Sequence, residues 1–322
     1  MIQQKYLVIE MKSNVLSLLL LGSVVALSSA SALAQENPVT TTFRDFENLS
    51  GGPVSRAGVN VGYVGGTSAK FQGARSGHSD AFNVNVDAGT RVAFTDDWFL
   101  NLGLVSDNYF LGSVAGIPVP DAIHTLRLNT GVGYHWNDQW TFTALVSPSL
   151  YRFEDVNGDD IGVSGGVVAA FVQNPSLTWS FGMIGSPDSD VPVLPIIGVR
   201  WLINDHYTLE VGMPKTRLTY NIEPNLAIYT GLDLNGTTFR TGEHLMPPNT
   251  PPLNNTARYN GALASYHDIR LGVGASYEFW RAVRAEAETG FSVYREIYYN
   301  DSDQSVEFKP APYVRLGLGV RF

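Results

Sequence analysis

Across its 322 residues the chain holds 21 basic and 30 acidic side chains, a net charge of −9, with 44% hydrophobic residues, 32 glycines and no cysteine. The acidic balance excludes a nucleic-acid binder, which needs basic patches, and the missing cysteine excludes both a disulfide framework and a lipoprotein anchor. Beyond the N-terminus no run approaches 18 apolar residues, so spanning helices are excluded as well.

Lys12 precedes an apolar run from Val15 to Leu27, and the small residues Ala32 and Ala34 behind it fit an A-x-A cleavage site. The pattern predicts a signal peptide over residues 1–34 and a mature start at Gln35. The run is too short to cross a bilayer as a helix. Met11 serves as a start equally well, because Met1–Glu10 adds nothing to a signal peptide. Its removal leaves 19 basic and 29 acidic residues, an acidic surface suited to an envelope bathed in divalent cations. Residues 35–55 are polar and lack a strong period. A periplasmic tail and a short plug entering a lumen both fit them.

From Arg56 onward the period is two. Phe82, Val84, Val86, Ala88, Val92 and Phe94 alternate with Asn83, Asn85, Asp87, Gly89 and Arg91. Ile269, Leu271, Val273, Ala275 and Tyr277 alternate likewise with Arg270, Gly272, Gly274, Ser276 and Glu278. Successive strand side chains point to opposite faces, so each segment has a greasy face and a polar, glycine-rich one, as membrane barrels do. The expected fold is all-β: a closed transmembrane antiparallel β-barrel over residues 56–322. Its strands fall at 56–64, 81–94, 98–110, 123–136, 140–152, 161–173, 177–186, 193–203, 206–213, 217–223, 226–236, 266–279, 283–298 and 309–322. That makes fourteen. Pro187, Pro192, Pro195 and Pro214 interrupt the region 186–223, and proline removes a ladder donor, so a count of twelve stays open.

Connections alternate between short turns, such as Thr95–Trp98 and Asn137–Trp140, and long loops near 65–80, 111–122, 153–160, 186–192, 236–265 and 299–308. Barrels of this kind keep their short turns in the periplasm and their longer loops outside. Trp98, Trp136, Trp140, Trp201 and Trp280 sit beside short turns, where an aromatic belt at one membrane interface would place them. The last strand carries Leu316, Leu318, Val320 and Phe322 on one face. This aromatic terminus resembles the last strand of bacterial outer-membrane barrels, and the resemblance implies recognition by the barrel-assembly machinery.

By parity the inward face holds Arg91, Arg127, Arg200, Arg270, Arg284, Arg315 and Arg321 against Asp87, Asp107, Asp268, Glu278, Glu286, Glu288 and Glu296, seven of each sign. Two readings compete. Paired charges bridge the lumen and close it, since a buried charge must be compensated. Alternatively, separated clusters set a field across a watery pore.

Other chemistry is thin. Asp155, Asn157 and Asp159 have a spacing that hard cations favour, but Asp160 and Gly166 stand where a calcium loop needs Gly and Glu. His78, Ser79 and Asp80 are adjacent, as are His267 and Asp268. A nucleophilic triad needs convergent geometry, and neighbours on a strand face opposite ways. No enzyme, metal or cofactor is expected.

The segment Pro214–Arg240, with Pro214, Arg217, Tyr220, Tyr229, Gly231, Gly236, Phe239 and Arg240, resembles an uncharacterised bacterial outer-membrane barrel family, classed as domain of unknown function 6268. The resemblance implies an outer-membrane barrel and carries over no activity and no site residues. The leading expectation is a narrow pore or passive conduit for small solutes in the outer membrane. Its rival is a closed barrel with a structural or surface-binding role, and a hydrolase comes third. Expected partners are membrane lipid and lipopolysaccharide, the barrel-assembly machinery and small solutes.

Overall fold

The computed structural model describes residues 54–322 apart from 73, 113, 115, 154–155, 190–191, 247–255 and 281. The predicted signal peptide, its cleavage point, nearly all of segment 35–55, and Asp155 therefore lie outside the described residues.

The strands are β1 (Val54–Phe71), β2 (Ala74–Ala93), β3 (Trp98–Leu111), β4 (Ala122–His135), β5 (Trp140–Leu150), β6 (Ile161–Asn174), β7 (Leu177–Gly185), β8 (Val193–Leu202), β9 (Tyr207–Val211), β10 (Lys215–Glu223), β11 (Leu226–Arg240), β12 (Leu263–Phe279), β13 (Val283–Tyr299), β14 (Gln304–Phe308) and β15 (Ala311–Arg321). From β1 to β13 each pairs antiparallel with its sequence neighbours. Both β14 and β15 lie between β13 and β1, end to end across Lys309 and Pro310. They are two halves of one strand, broken where proline withholds its donor. The ring closes between β15 and β1, from Arg56↔Arg321 to Val64↔Tyr313. Ser55 and Phe322 exchange two backbone hydrogen bonds of 2.9 Å at the seam. The chain is thus an all-β, closed antiparallel barrel of fourteen strands, and no α-helix occurs among the described residues.

The outer wall is greasy. Val61, Phe82, Val86, Leu104, Leu128, Val146, Val167, Phe181, Met183, Ile197, Ile228, Leu271, Val273, Phe291 and Leu316 are all exposed. So much contiguous apolar surface has no place in water, and it matches the lipid-facing band of a membrane barrel. Around the short-turn end runs an aromatic girdle. Trp98 packs on Tyr134 at 4.7 Å, Trp140 on Phe171 at 4.7 Å, Tyr207 on Tyr220 at 4.9 Å and Tyr277 on Phe279 at 4.6 Å. Such rings prefer the interface, where one end meets hydrocarbon and the other water.

Several expected loops are strand. Residues 65–80 continue β1 and β2 as a hairpin paired up to Phe71↔Ala74. Bulges between Val64 and Thr67 and between Ser68 and Ala69 break the two-residue rhythm there. Outside the membrane the exterior face meets water, so alternation loses its apolar half. The same applies to the 299–308 loop, which contains β14, and to the flanks of the 236–265 loop, absorbed into β11 and β12. The tall strands β1, β2 and β11–β13, with the short β14 beside them, raise one side of the wall and carry an apolar core at its top.

Candidate functional site in the lumen

Alternation sends one parity of every strand into the lumen. At the short-turn end this lumen is a vestibule of about 550 Å³ whose wall includes Asn101, Asn129, Thr219, Asn221 and the glycines Gly89, Gly103, Gly131 and Gly317. Two of its ion pairs are loose, Arg56 to Asp87 at 4.0 Å and Arg200 to Glu210 at 3.8 Å, and a third, Arg284 to Glu286, is closer at 3.0 Å; all but Glu286 are substantially exposed. Pairs of this kind stabilise by about 0–1 kcal/mol, so they shape the field more than they hold the barrel.

A second cavity of about 330 Å³ lies deeper. It shares Arg56, Asn60, Asp87, Arg200, Glu210 and Glu286 with the vestibule, so the two adjoin. Here the charges tighten. Asn83 donates to Asn85, Asn85 donates to Asp107 at 2.7 Å, and Arg127 meets the same carboxylate at 3.1 Å. Facing them, Arg315 and Lys215 converge on Asp233 at 2.9 and 3.3 Å. Arg217 lies 3.7 Å from Glu286 and 3.6 Å from Glu288, with its guanidinium 3.6 Å over the Tyr229 ring. The Arg315–Asp233 contact and those of Arg217 skip intervening strands, β15 to β11 and β10 to β13, and so brace the wall from inside.

Above this belt the lumen shuts. Arg270 binds Asp268 at 2.7 Å, Ser292 donates to the same carboxylate at 2.7 Å, and Arg270 reaches across to Asn83 at 3.2 Å. Tyr109 and Tyr266 meet with ring centroids 4.8 Å apart, from β3 and β12. Thr125 of β4 and Thr237 of β11 are hydrogen-bonded at 3.0 Å, so opposite walls touch. Over them sits an apolar plug. The β3–β4 loop contributes Val114, Ile117 and Val119, packed with Phe71, Phe239, Tyr259, Ile297, Tyr299, Val306 and Phe308. Tyr299 donates its hydroxyl to Pro118 O, which pins the loop. Outside the plug, Asp160 is fully buried between Arg152 at 3.2 Å and Arg240 at 3.4 Å, while Arg152 also binds Glu243 at 2.6 Å.

The structure places the charges named from sequence at three levels. Asp87, Arg91, Arg200, Glu278, Arg284 and Arg321 line the vestibule, with Glu286 where the two cavities meet. Asp107, Arg127, Glu288 and Arg315 belong to the belt, and Asp268 with Arg270 to the closure. Glu296 is a correction. A bulge in the β12–β13 ladder between Ile269 and Arg270 inserts Val293 and flips the parity beyond it. Glu296 then shares the outer face with Glu307 and Lys70, and Arg295 turns inward over Phe308. Leu316, Leu318 and Phe322 are exposed on the outer wall, on the same face as Val320.

Sequence reasoning missed Tyr109, Lys215, Arg217, Asp233 and Arg295 as lumen residues. The alternation Lys215, Arg217, Thr219, Asn221 carried the signal for part of that set; nothing local announced the bulge that turns Arg295 inward. In the acidic loop Asp160 contacts Arg152 and Arg240, and Asn157 caps a single 3-10 turn at Gly158–Asp160. His78 is exposed whereas Ser79 is buried, so they do not converge. No cluster of metal-ligating side chains occurs among the described residues.

Similar architectures occur among solved structures. A mutant of the TodX monoaromatic hydrocarbon channel is 11% identical over 85% of this chain and 91% of its own, with a TM-score of 0.47. A Pseudomonas aeruginosa FadL homologue is 10% identical over 84% and 90%, with a TM-score of 0.44. An outer membrane channel from Pseudomonas putida F1 is 13% identical over 85% and 97%, also at 0.44. A search of curated proteins finds no match. The sequence pattern of one family covers residues 115–322, well over half of the chain. The chain belongs to that family, a domain of unknown function (DUF6268), and its fold is that of an outer-membrane β-barrel.

Proposed function

We propose that the protein is an outer-membrane conduit for small solutes, drawn here with its outer mouth closed. The observation that carries this reading is the pair of adjoining polar cavities running from the short-turn end to the middle of the barrel. A barrel meant only as a scaffold has no need of such an interior, since side chains fill smaller barrels completely. The charges along it are paired at the belt and looser in the vestibule, which gives passing solutes a fixed array of donors and acceptors. The plug favours the rival reading of a closed structural barrel, and it also names the gate.

Planar-bilayer recordings decide between them. Replacing Gly112–Pro120 by a short glycine linker removes Val114, Ile117 and Val119 from the plug, Tyr109→Ala with Tyr266→Ala opens the closure beneath it, and stepwise ionic currents are expected from the combined variant where the unaltered protein stays mostly silent. A correctly folded combined variant that passes no current at any voltage overturns the conduit and leaves the scaffold.

A further inference from the structure

The inner wall of β3, β4 and β5 carries a notch floored by glycine. Gly103 and Gly131 border the vestibule, and in the β3–β4 ladder they stand opposite Asn129 and Asn101. With no side chain of their own, they leave backbone as the floor between the two amides. The pairs Gly131↔Leu145 and Arg127↔Ser149 bring β5 alongside at this level. Its inward residues Thr143, Leu145 and Ser147 complete the rim, and all three border the same vestibule.

This rim is polar and largely unsatisfied. The Asn129 amide has no hydrogen-bond partner in the protein for its oxygen or its nitrogen, and neither the Thr143 nor the Ser147 hydroxyl has one. Most buried side-chain polar atoms do have a partner. Thr143 and Ser147 are only 3% and 0% exposed, and alternation turns both toward the lumen. Asn129 is half-buried and meets a guest first; the two hydroxyls border the vestibule from deeper in the wall. Three side chains with unused hydrogen-bonding capacity on one patch point to something the patch receives.

Charge argues for a neutral guest. None of the notch residues is ionisable. The guanidiniums around the vestibule are already engaged: Arg56 with Asp87, Arg200 with Glu210, Arg284 with Glu286, and Arg91 donating to Asn101 at 3.0 Å. An ion gains little from a wall whose charges are matched, whereas amides and hydroxyls offer donors and acceptors together. Leu145 and the two glycines add an apolar surface inside the polar rim. That combination suits a molecule with hydroxyls around its edge and C–H groups on its face. We infer that the notch binds a neutral polyhydroxylated solute of monosaccharide size. The inference rests on the conduit reading and names its solute class. The vestibule of about 550 Å³ falls within the usual range of ligand sites, about 300–1,000 Å³. On leaving the notch, such a solute meets Thr219 and Asn221 of β10 in the same vestibule and exchanges one set of hydrogen bonds for another.

Saturation-transfer NMR on the refolded barrel in micelles tests the site with D-glucose, glycine betaine and sodium acetate as probes. Transfer to the C–H protons of glucose is expected, with none above background for the zwitterion or the anion. A Cβ at Gly103 meets only ordinary contacts, of 3.5–3.9 Å, so Gly103→Leu is expected to fold, to occupy the notch and to abolish the glucose signal. Should it not fold, Asn129→Leu with Ser147→Ala removes neutral hydrogen bonds from the rim and is expected to weaken glucose binding about tenfold. Equal transfer to the three probes, no transfer to glucose, or undiminished glucose binding in a folded variant overturns the site. The conduit reading fails on a different result. The chain has no cysteine, so Thr219→Cys places a single thiol in the vestibule, and a charged methanethiosulfonate that never reaches it in vesicles overturns the conduit. A thiol that reacts while glucose shows no transfer overturns the sugar site alone.

Discussion

Replacing Asp268 with alanine is the sharpest probe of whether the lumen is dry where it closes. Asp268 is fully buried and Arg270 nearly so, at 0% and 3% side-chain exposure. The carboxylate receives two guanidinium contacts, of 2.8 and 2.7 Å, and the Ser292 hydroxyl at 2.7 Å. Without it Arg270 keeps only the neutral Asn83 oxygen at 3.2 Å and the Tyr313 ring at 5.2 Å. Stranding a buried charge costs about 3–5 kcal/mol, more than a hundredfold in the folding equilibrium at about 1.4 kcal/mol per decade. Removing both charges with Asp268→Leu and Arg270→Met should recover most of that loss, because a well-packed apolar pair replaces a buried ion pair at little cost. The Arg56–Asp87 pair, 4.0 Å apart and partly exposed, supplies the contrast: Asp87→Ala should cost less than about 1 kcal/mol. Urea titration of the refolded barrel in micelles, followed by the fluorescence of its six tryptophans, reads all three. An Asp268→Ala variant within about 1 kcal/mol of the parent, or a double replacement as damaging as the single one, would refute a water-free closure.

Two further outcomes follow from close packing and from the outer loops. A Cβ at Gly290 would stand 2.0 Å from Leu271 O and 2.6 Å from Gly272 Cα, both backbone atoms that cannot swing aside. Gly290→Ala should therefore cost at least about 1–3 kcal/mol and lower the refolding yield, seen as loss of the compact heat-modifiable band on gels. Asp160→Ala should unseat Arg152 and Arg240 together, so that trypsin cuts at these arginines in vesicle-embedded protein while the parent resists. Equal resistance would mean that the loops hold without the buried carboxylate.

Much of the architecture is legible in the chain because lipid imposes it locally. Every strand that crosses hydrocarbon must show grease on alternate residues, so β2, β3, β4 and β12 announce themselves in Phe82–Phe94, Trp98–Leu104, Leu126–Tyr134 and Ile269–Tyr277. Where lipid ends, the signal ends. The hairpin extension through Phe71 and the strand β14 read as loops because water wets their outer faces. One inserted residue, Val293, was enough to send Glu296 outward and bring Arg295 in.

The sequence by itself therefore determined the fold class and the ends at which turns and loops gather, and it offered fourteen strands with twelve still open. Alternation is a nearest-neighbour property, written residue by residue. The tertiary structure alone decided which charges meet, that β4 touches β11 across the lumen, and that the 111–122 loop folds inward as a plug. Those contacts join residues far apart in the chain, as with the 112 positions between Thr125 and Thr237. Their existence depends on how the closed wall bends, which no local rhythm records.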